Sequence, residues 1–424
     1  MVENKNLKGN QSDVSILFKN SNLLSMNTDE ICYYTDILVE KGIIKDIGKN
    51  LEVENAEIID CSGKYLMPAL VDSHAHLSSS EMCQLFIANG ITGIRHLSGG
   101  QRVLEYSEEI RQGLRIGPYV YLSGYIYDGG DAAEKFETHK YINTIEEAEK
   151  AVYDTIKDGY QWVKTYPSIS PENLERLMKT AKSAGIKVCG HMSYHVDSKL
   201  LRDWGYHCCE HSSSLPKHLN DVEYLAKSGM WFCPTQVVCE TLPDYVWGGK
   251  KLTDLEAYDY VPKKVKKYWE ERNDKIIESY KKRQLRPDIR VIIERGRHFM
   301  SHSDRYLAGS DTMYPGIIAG FSLHEELKKL VDLYGCTPFE ALKAATVNPS
   351  VYIGTDDKKG TIEKGKDADI LILNKNPLAE ISHTRGIFAV MQGKSYFSRK
   401  DLDDMLNEVR SLDDDEVEFL QSIF

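Results

Sequence analysis

Between about residues 67 and 353 the chain alternates eight short apolar runs with helical stretches, and this constrains its fold more than any other feature. The runs are ALVDSHAHL, GITGIRHL, PYVYLSGYI, WVKTY, IKVCGHM, HCCEHSS, WFCPTQ and YLAGSDT. Two of the intervening stretches are TIEEAEKAVYDTIKDG and SPENLERLMKTAKSAG. Both open on Thr or Ser caps with acidic first turns and close at glycine. Strand-like runs alternating with helices predict an α/β fold, a parallel (β/α)8 barrel of the TIM type.

The two ends of the chain read differently. VSILFKNSNLL, EICYYTDILVEKGIIKDIG and AEIIDCSGKYLMPAL are short, β-branched and bounded by Asn, Asp or Gly. The same vocabulary returns in GTIEKGKDADILILN and RGIFAVMQGKSYF. These pieces predict one small β-sandwich domain built from residues 1–66 plus 354–400, flanking a barrel domain over 67–353. Residues 401–424 read as an acidic helical tail, with Val417, Phe419, Leu420, Ile423 and Phe424 as a docking surface. The charged 263–298 segment reads as helical, and a solvated helix face explains its basic residues more simply than a substrate-attracting overhang.

Charge and composition exclude several partners. Lys+Arg is 53 and Asp+Glu is 64, a formal charge of −11, which argues against nucleic acid or an anionic membrane. No apolar run approaches the ~20 residues of a membrane span, and the polar first residues lack a signal-peptide core. The nine cysteines cannot all pair internally, and several sit inside strand-like runs. They read as reduced, buried thiols of a cytoplasmic protein.

Residues of one parity along a barrel strand point inward, and barrel enzymes carry their chemistry at the C-terminal ends of the strands. His74 and His76 are two apart on the first run. Alone they are a weak signal. Lys164 then ends the fourth run, His191 the fifth, His211 the sixth and Asp311 the eighth. Each is a metal-competent or ionisable residue at the same end of a strand that should be apolar. A buried Lys or Asp without a partner is costly, so a shared site explains the set better than independent core polar groups.

These residues carry a resemblance. The turn MPALVDSHAH, then GITGIRHLSGG, WVKTY, GHMSYH, EHSSSL, AGSDTMYPG, LKAATVNPS and GTIEKGKDADILIL are similar to the amidohydrolase superfamily. The resemblance is to the branch with imidazolonepropionase and the Xaa-Pro and Xaa-Arg dipeptidases, and it covers nearly the whole chain. It implies two divalent metal ions, with zinc the favoured element. His74, His76 and Asp311 would hold the more buried ion, and His191 and His211 the second. Lys164 would bridge them as a carboxylated lysine. The alternative is one metal with Lys164 unmodified.

The implied reaction is hydrolysis of an amide bond in a small molecule, a dipeptide or an N-acyl amino acid, with Asp311 as the catalytic proton shuttle. Hydrolysis of a cyclic amide, carbamate, lactone or ester is the alternative, and a non-catalytic binding protein on the same barrel is a third reading. Tyr166, Tyr194, His96 and Tyr125 are candidate substrate contacts, each equally explained as packing. His302 and His324 lie outside the ligand pattern and read as surface or helix-start histidines. Many relatives self-associate, so a homo-oligomer is admissible.

Overall fold

The computed structural model describes residues 10–11, 14–77, 79–132, 139–283, 288–312 and 314–412. The docking residues expected beyond 412 lie outside these.

The barrel is built from seven parallel strands in sequence order: β1 (Leu70–Ala75), β2 (Ile91–His96), β3 (Tyr119–Gly129), β4 (Trp162–Thr165), β5 (Lys187–Gly190), β6 (Cys208–Glu210) and β7 (Trp231–Cys233). A further short strand, His139–Ile142, pairs parallel with the end of β3. The eighth run does not form a regular strand. Residues 306–312 nevertheless close the barrel through backbone hydrogen bonds. On one side the Leu307 amide donates to the Phe232 carbonyl at 2.8 Å. On the other, the Ser73 amide donates to the Ala308 carbonyl at 2.8 Å and the Asp311 amide to that of His74 at 2.7 Å.

The interruption has a local cause. Asp311 adopts a left-handed φ of 62°, which no regular strand residue takes. At Gly309 a Cβ would stand 2.6 Å from the His74 Cβ, so the chain passes too close to β1 for any side chain.

Helices surround the barrel: α1 (Cys83–Ala88), α2 (Gln101–Arg111), α3 (Ile145–Lys157), α4 (Pro171–Ala184), α5 (Leu219–Lys227), α6 (Gln236–Val246), α7 (Lys263–Arg283), α8 (Ile289–Met300) and α9 (Phe321–Asp332). The expected punctuation is present. Thr144 and Glu147 form a reciprocal capping box on α3, while α4 starts at a Ser170 cap with proline in its first turn and ends at left-handed Gly185.

The chain ends meet in a nine-stranded, mostly antiparallel sheet. Ile16–Leu23 lies at its centre, antiparallel to Cys32–Glu40 and parallel to both Glu57–Asp60 and Tyr65–Pro68. The sheet encloses its own core of Ile16, Phe18, Ile37, Ile44, Ile370 and Met391. Tyr65–Pro68 runs almost directly into β1, so this sheet anchors the strand that carries His74. The helix α10 (Arg399–Ser411) returns to the barrel, burying Leu402, Met405 and Val409. No described helix is long and apolar enough to cross a membrane.

The barrel floor is apolar and aromatic. Tyr352 stacks on Trp162 at 5.7 Å and meets Trp231 edge-on at 5.5 Å. Cys189, Cys208, Cys233 and Leu307 fill the rest of this layer. A closed floor leaves the strands' C-terminal ends as the only open face of the barrel interior among the described residues.

Candidate active site

The six residues expected at the strand ends converge. The imidazoles of His76, His74, His211 and His191 follow one another with ring centroids 5.4, 4.7 and 4.3 Å apart. Asp311 reaches in from residues 306–312. Its Oδ1 lies 3.3 Å from His74 Nε2 and 3.2 Å from His76 Nε2, and its Oδ2 lies 3.8 Å from His211 Nδ1. Lys164, only 1% exposed, stands close enough for its charge to act on His76, His191 and His211.

Backbone strain helps bring them together. Cys208 faces the barrel floor, and Glu210, on the same parity, points inward to Arg95. His211 should then face outward. It reaches the centre because its φ is 70°, which breaks the alternation one residue after the strand ends. Left-handed non-glycine residues at both His211 and Asp311 are costly, and such strain clusters at functional sites.

Beneath the histidines lies a buried charge pair that sequence reasoning did not single out. An Arg95 terminal nitrogen donates to both Glu210 oxygens at 2.7 and 2.8 Å, and both side chains are fully buried. Glu210 also lies 2.9 Å from His74 Nδ1. Burial opposes ionisation of Glu210, but the Arg95 charge and the His74 contact hold its carboxyl well below the usual range. An ionised Glu210 accepts the Nδ1 proton of His74 and so turns Nε2 toward Asp311. Similarly, His211 Nδ1 lies 2.7 Å from the Thr235 hydroxyl. The signal for Glu210 was its parity with Cys208, hidden because His211 was assumed to share the inward face.

This donor set fits a divalent metal. Burial, together with neighbouring positive charge, keeps His76, His191 and His211 neutral, His211 being pushed down to about 3. Neutral imidazole is the ligand form. His74 Nε2 and His191 Nδ1 are buried with no hydrogen-bond partner among the described residues, as expected of atoms that serve a cation. His74, His211 and Asp311 offer ligand atoms within 4.8 Å of one another. Burial opposes ionisation of Asp311 too, yet His74, His76 and His211 hold its carboxyl well below the usual range.

The expected substrate contacts divide. Tyr166 packs on His191 at 4.3 Å and stands at the mouth. His96 is buried, its ring 5.9 Å from His76 and its Nδ1 accepting the Leu77 amide at 3.0 Å. Tyr194 is 79% exposed on the rim. Tyr125 does not face the cavity. It packs outward against Tyr160 at 6.1 Å, under the Lys140 ammonium. The cause is an extra residue in β3: Trp162 pairs with Ser123 but Lys164 with Ile126, so parity flips between them. Tyr127 follows it outward to Thr155 on α3.

His139, overlooked in the sequence, lies 4.6 Å from the Tyr166 ring. Burial, with the Lys164 charge nearby, pushes it down to about 4. Arg272 of α7 is also close enough for its charge to act on Tyr166. His324 lies in the first turn of α9, a helix-start histidine, and is not on the surface. It is buried in α9, 2.9 Å from the Thr384 hydroxyl and 3.0 Å from the Asn89 carbonyl, a tie between barrel and terminal segments.

Residues 65–395 match the model of the amidohydrolase family. The chain belongs to this family. It is thereby placed among hydrolases of carbon–nitrogen bonds, which generally use a divalent metal. The structure resembles that of an Xaa-Pro dipeptidase with methionine bound in its active site, with a TM-score of 0.73 and 18% identity, over 91% of this chain and all of that one. Sequence matches to curated relatives are local. A dihydroorotase of Bacillus cytotoxicus is 47% identical over 64 residues, 15% of this chain and 14% of that protein. An imidazolonepropionase of Thermoplasma volcanium is 36% identical over 104 residues, 24% of each.

Proposed function

We propose that the protein hydrolyses an amide bond of a small molecule that carries a free carboxylate, an Xaa-Pro-type dipeptide or an N-acyl amino acid. The observation that carries the reaction is the convergence of four imidazoles, Asp311 and Lys164 on the open end of the barrel. His74, His76 and Asp311 would hold one zinc ion, and His191 and His211 a second. A carboxylated Lys164 would bridge them, turning a buried cation among imidazoles into an anion.

Bound there, the metals supply an acidified water and polarise the scissile carbonyl. Asp311 accepts the water's proton through the oxygen not facing His74 and His76, and delivers it to the leaving amine. Glu210 keeps His74 in the tautomer that presents Nε2. His139, Tyr166 and Arg272 surround the approach, and Arg272 supplies the cation that a substrate carboxylate requires.

Metal analysis combined with a panel of Xaa-Pro dipeptides, N-acyl amino acids and cyclic amides tests this reading. The expected result is two equivalents of metal and turnover of an open-chain substrate, with KM rising at least tenfold in Arg272→Met. Amidation of the substrate carboxylate should raise KM in the parent enzyme and erase the difference between the two proteins. Turnover confined to cyclic amides would instead support the second reading, ring opening, which the local identities to dihydroorotase and imidazolonepropionase favour.

A further inference from the structure

We propose that Glu223, His298 and His302 form a second divalent-cation site, on the outer helical layer and separate from the barrel mouth. His298 lies in the last turn of α8 and His302 in the turn that follows it, four residues on. Their rings lie 4.6 Å apart. Glu223 projects from the adjacent helix α5, its two oxygens 3.8 Å from His298 Nε2 and 3.8 Å from His302 Nε2. The three ligand atoms all lie within 4.8 Å of one another.

The ring orientations favour a cation. His302 Nδ1 lies 2.9 Å from the His298 carbonyl and 3.0 Å from the Ser301 hydroxyl, so Nε2 is the ring nitrogen turned to Glu223. His298 Nε2 is itself buried and has no hydrogen-bond partner among the described residues. Two donors on a tetrahedral zinc, each at about 2.0–2.1 Å, stand about 3.3 Å apart. The two carboxylate–imidazole separations therefore need to close by about half an ångström, and the separation between the two imidazoles, within 4.8 Å, by no more than about 1.5 Å, within the reach of side-chain rotation on a half-exposed surface.

Two imidazoles and one carboxylate suit zinc or a similar borderline cation, with water completing the shell. Lys227 competes, because its ammonium is paired with Glu223. That pair is exposed and hence weak, so the cation displaces it. Barrel helices run from the strands' C-terminal ends toward the floor, and these residues sit at the far end of α8. The site thus clasps α5 to α8 on the side away from the candidate active site.

Calorimetric titration of zinc into the enzyme as isolated, with its barrel metals in place, tests the proposal. The parent protein should take up one further equivalent with a micromolar Kd. The His298→Asn/His302→Asn double variant should bind it at least 100-fold more weakly, with barrel metal content and turnover unchanged. Lys227→Met should bind it several-fold more tightly, because Glu223 is released. Added zinc should raise the unfolding temperature of the parent but not of the double variant. No further uptake by the parent at millimolar zinc, or equal uptake by the double variant, would overturn the site.

Discussion

At the residue scale, the candidate site depends on groups that fix one another's protonation. Asp311 is ionised among histidines, and only a carboxylate can both shuttle a proton and face a cation. Asp311→Asn should leave a folded, metal-loaded protein whose kcat falls by about 10²–10⁴-fold. Normal turnover with metal bound would reject the role. The buried pair beneath makes a different prediction. Arg95→Met leaves the Glu210 charge unpaired in a fully buried place, and should cost about 3–5 kcal/mol by denaturant unfolding. Glu210→Gln keeps the shape but weakens the hold on the His74 tautomer, and should lower metal affinity by about 10–100-fold in competition with a chelator.

At the element scale, short strands end where side chains must turn in to the centre, and glycine makes the room. Gly190 has a φ of 136°, and a Cβ there would stand 2.1 Å from the Thr165 carbonyl oxygen. The close atoms all belong to the Thr165 backbone rather than to a flexible side chain, so the strain cannot be relieved locally. Gly190→Ala should destabilise the protein by about 2 kcal/mol or more. It should also displace His191, which follows it, so metal content of the purified variant should fall with stability. A stable variant with full metal content would show that β5 tolerates the shift.

The strands also show how far local pattern carries. Apolar runs, caps and glycine stops predicted the barrel, and the strand ends carried the six residues that meet. Parity within a strand was less secure. The extra residue in β3 sent Tyr125 outward, and the left-handed His211 admitted Glu210 to the interior. A bulge or a positive φ costs one residue of phase and leaves no mark in composition.

At the scale of the whole molecule, the two sheets are joined through Tyr65–Pro68 and β1, so the sheet from the chain ends braces the strand that bears His74. Metal binding and folding should be coupled, since a site gathered from β1, β4, β5, β6 and residues 306–312 exists only in the folded chain. Removing metal with a chelator should lower the unfolding temperature by several degrees and abolish turnover, and zinc should restore both. An unchanged unfolding temperature after complete metal removal would show that the site is preformed and bears no stabilising load.

Strand ends and helix caps are legible over a few neighbouring residues, so residues bound for the barrel mouth can be picked out locally. On that basis His74, His76, Lys164, His191, His211 and Asp311 were expected there. What stands behind and around them emerges only in the folded chain: Glu210 with Arg95 below, His139 beside Tyr166, and Glu223 between His298 and His302. These partners are far apart in the chain, and their meeting is set by strand register, helix packing and a few strained φ angles. Such long-range placement depends on the sum of all packing, so no local pattern of residues encodes it.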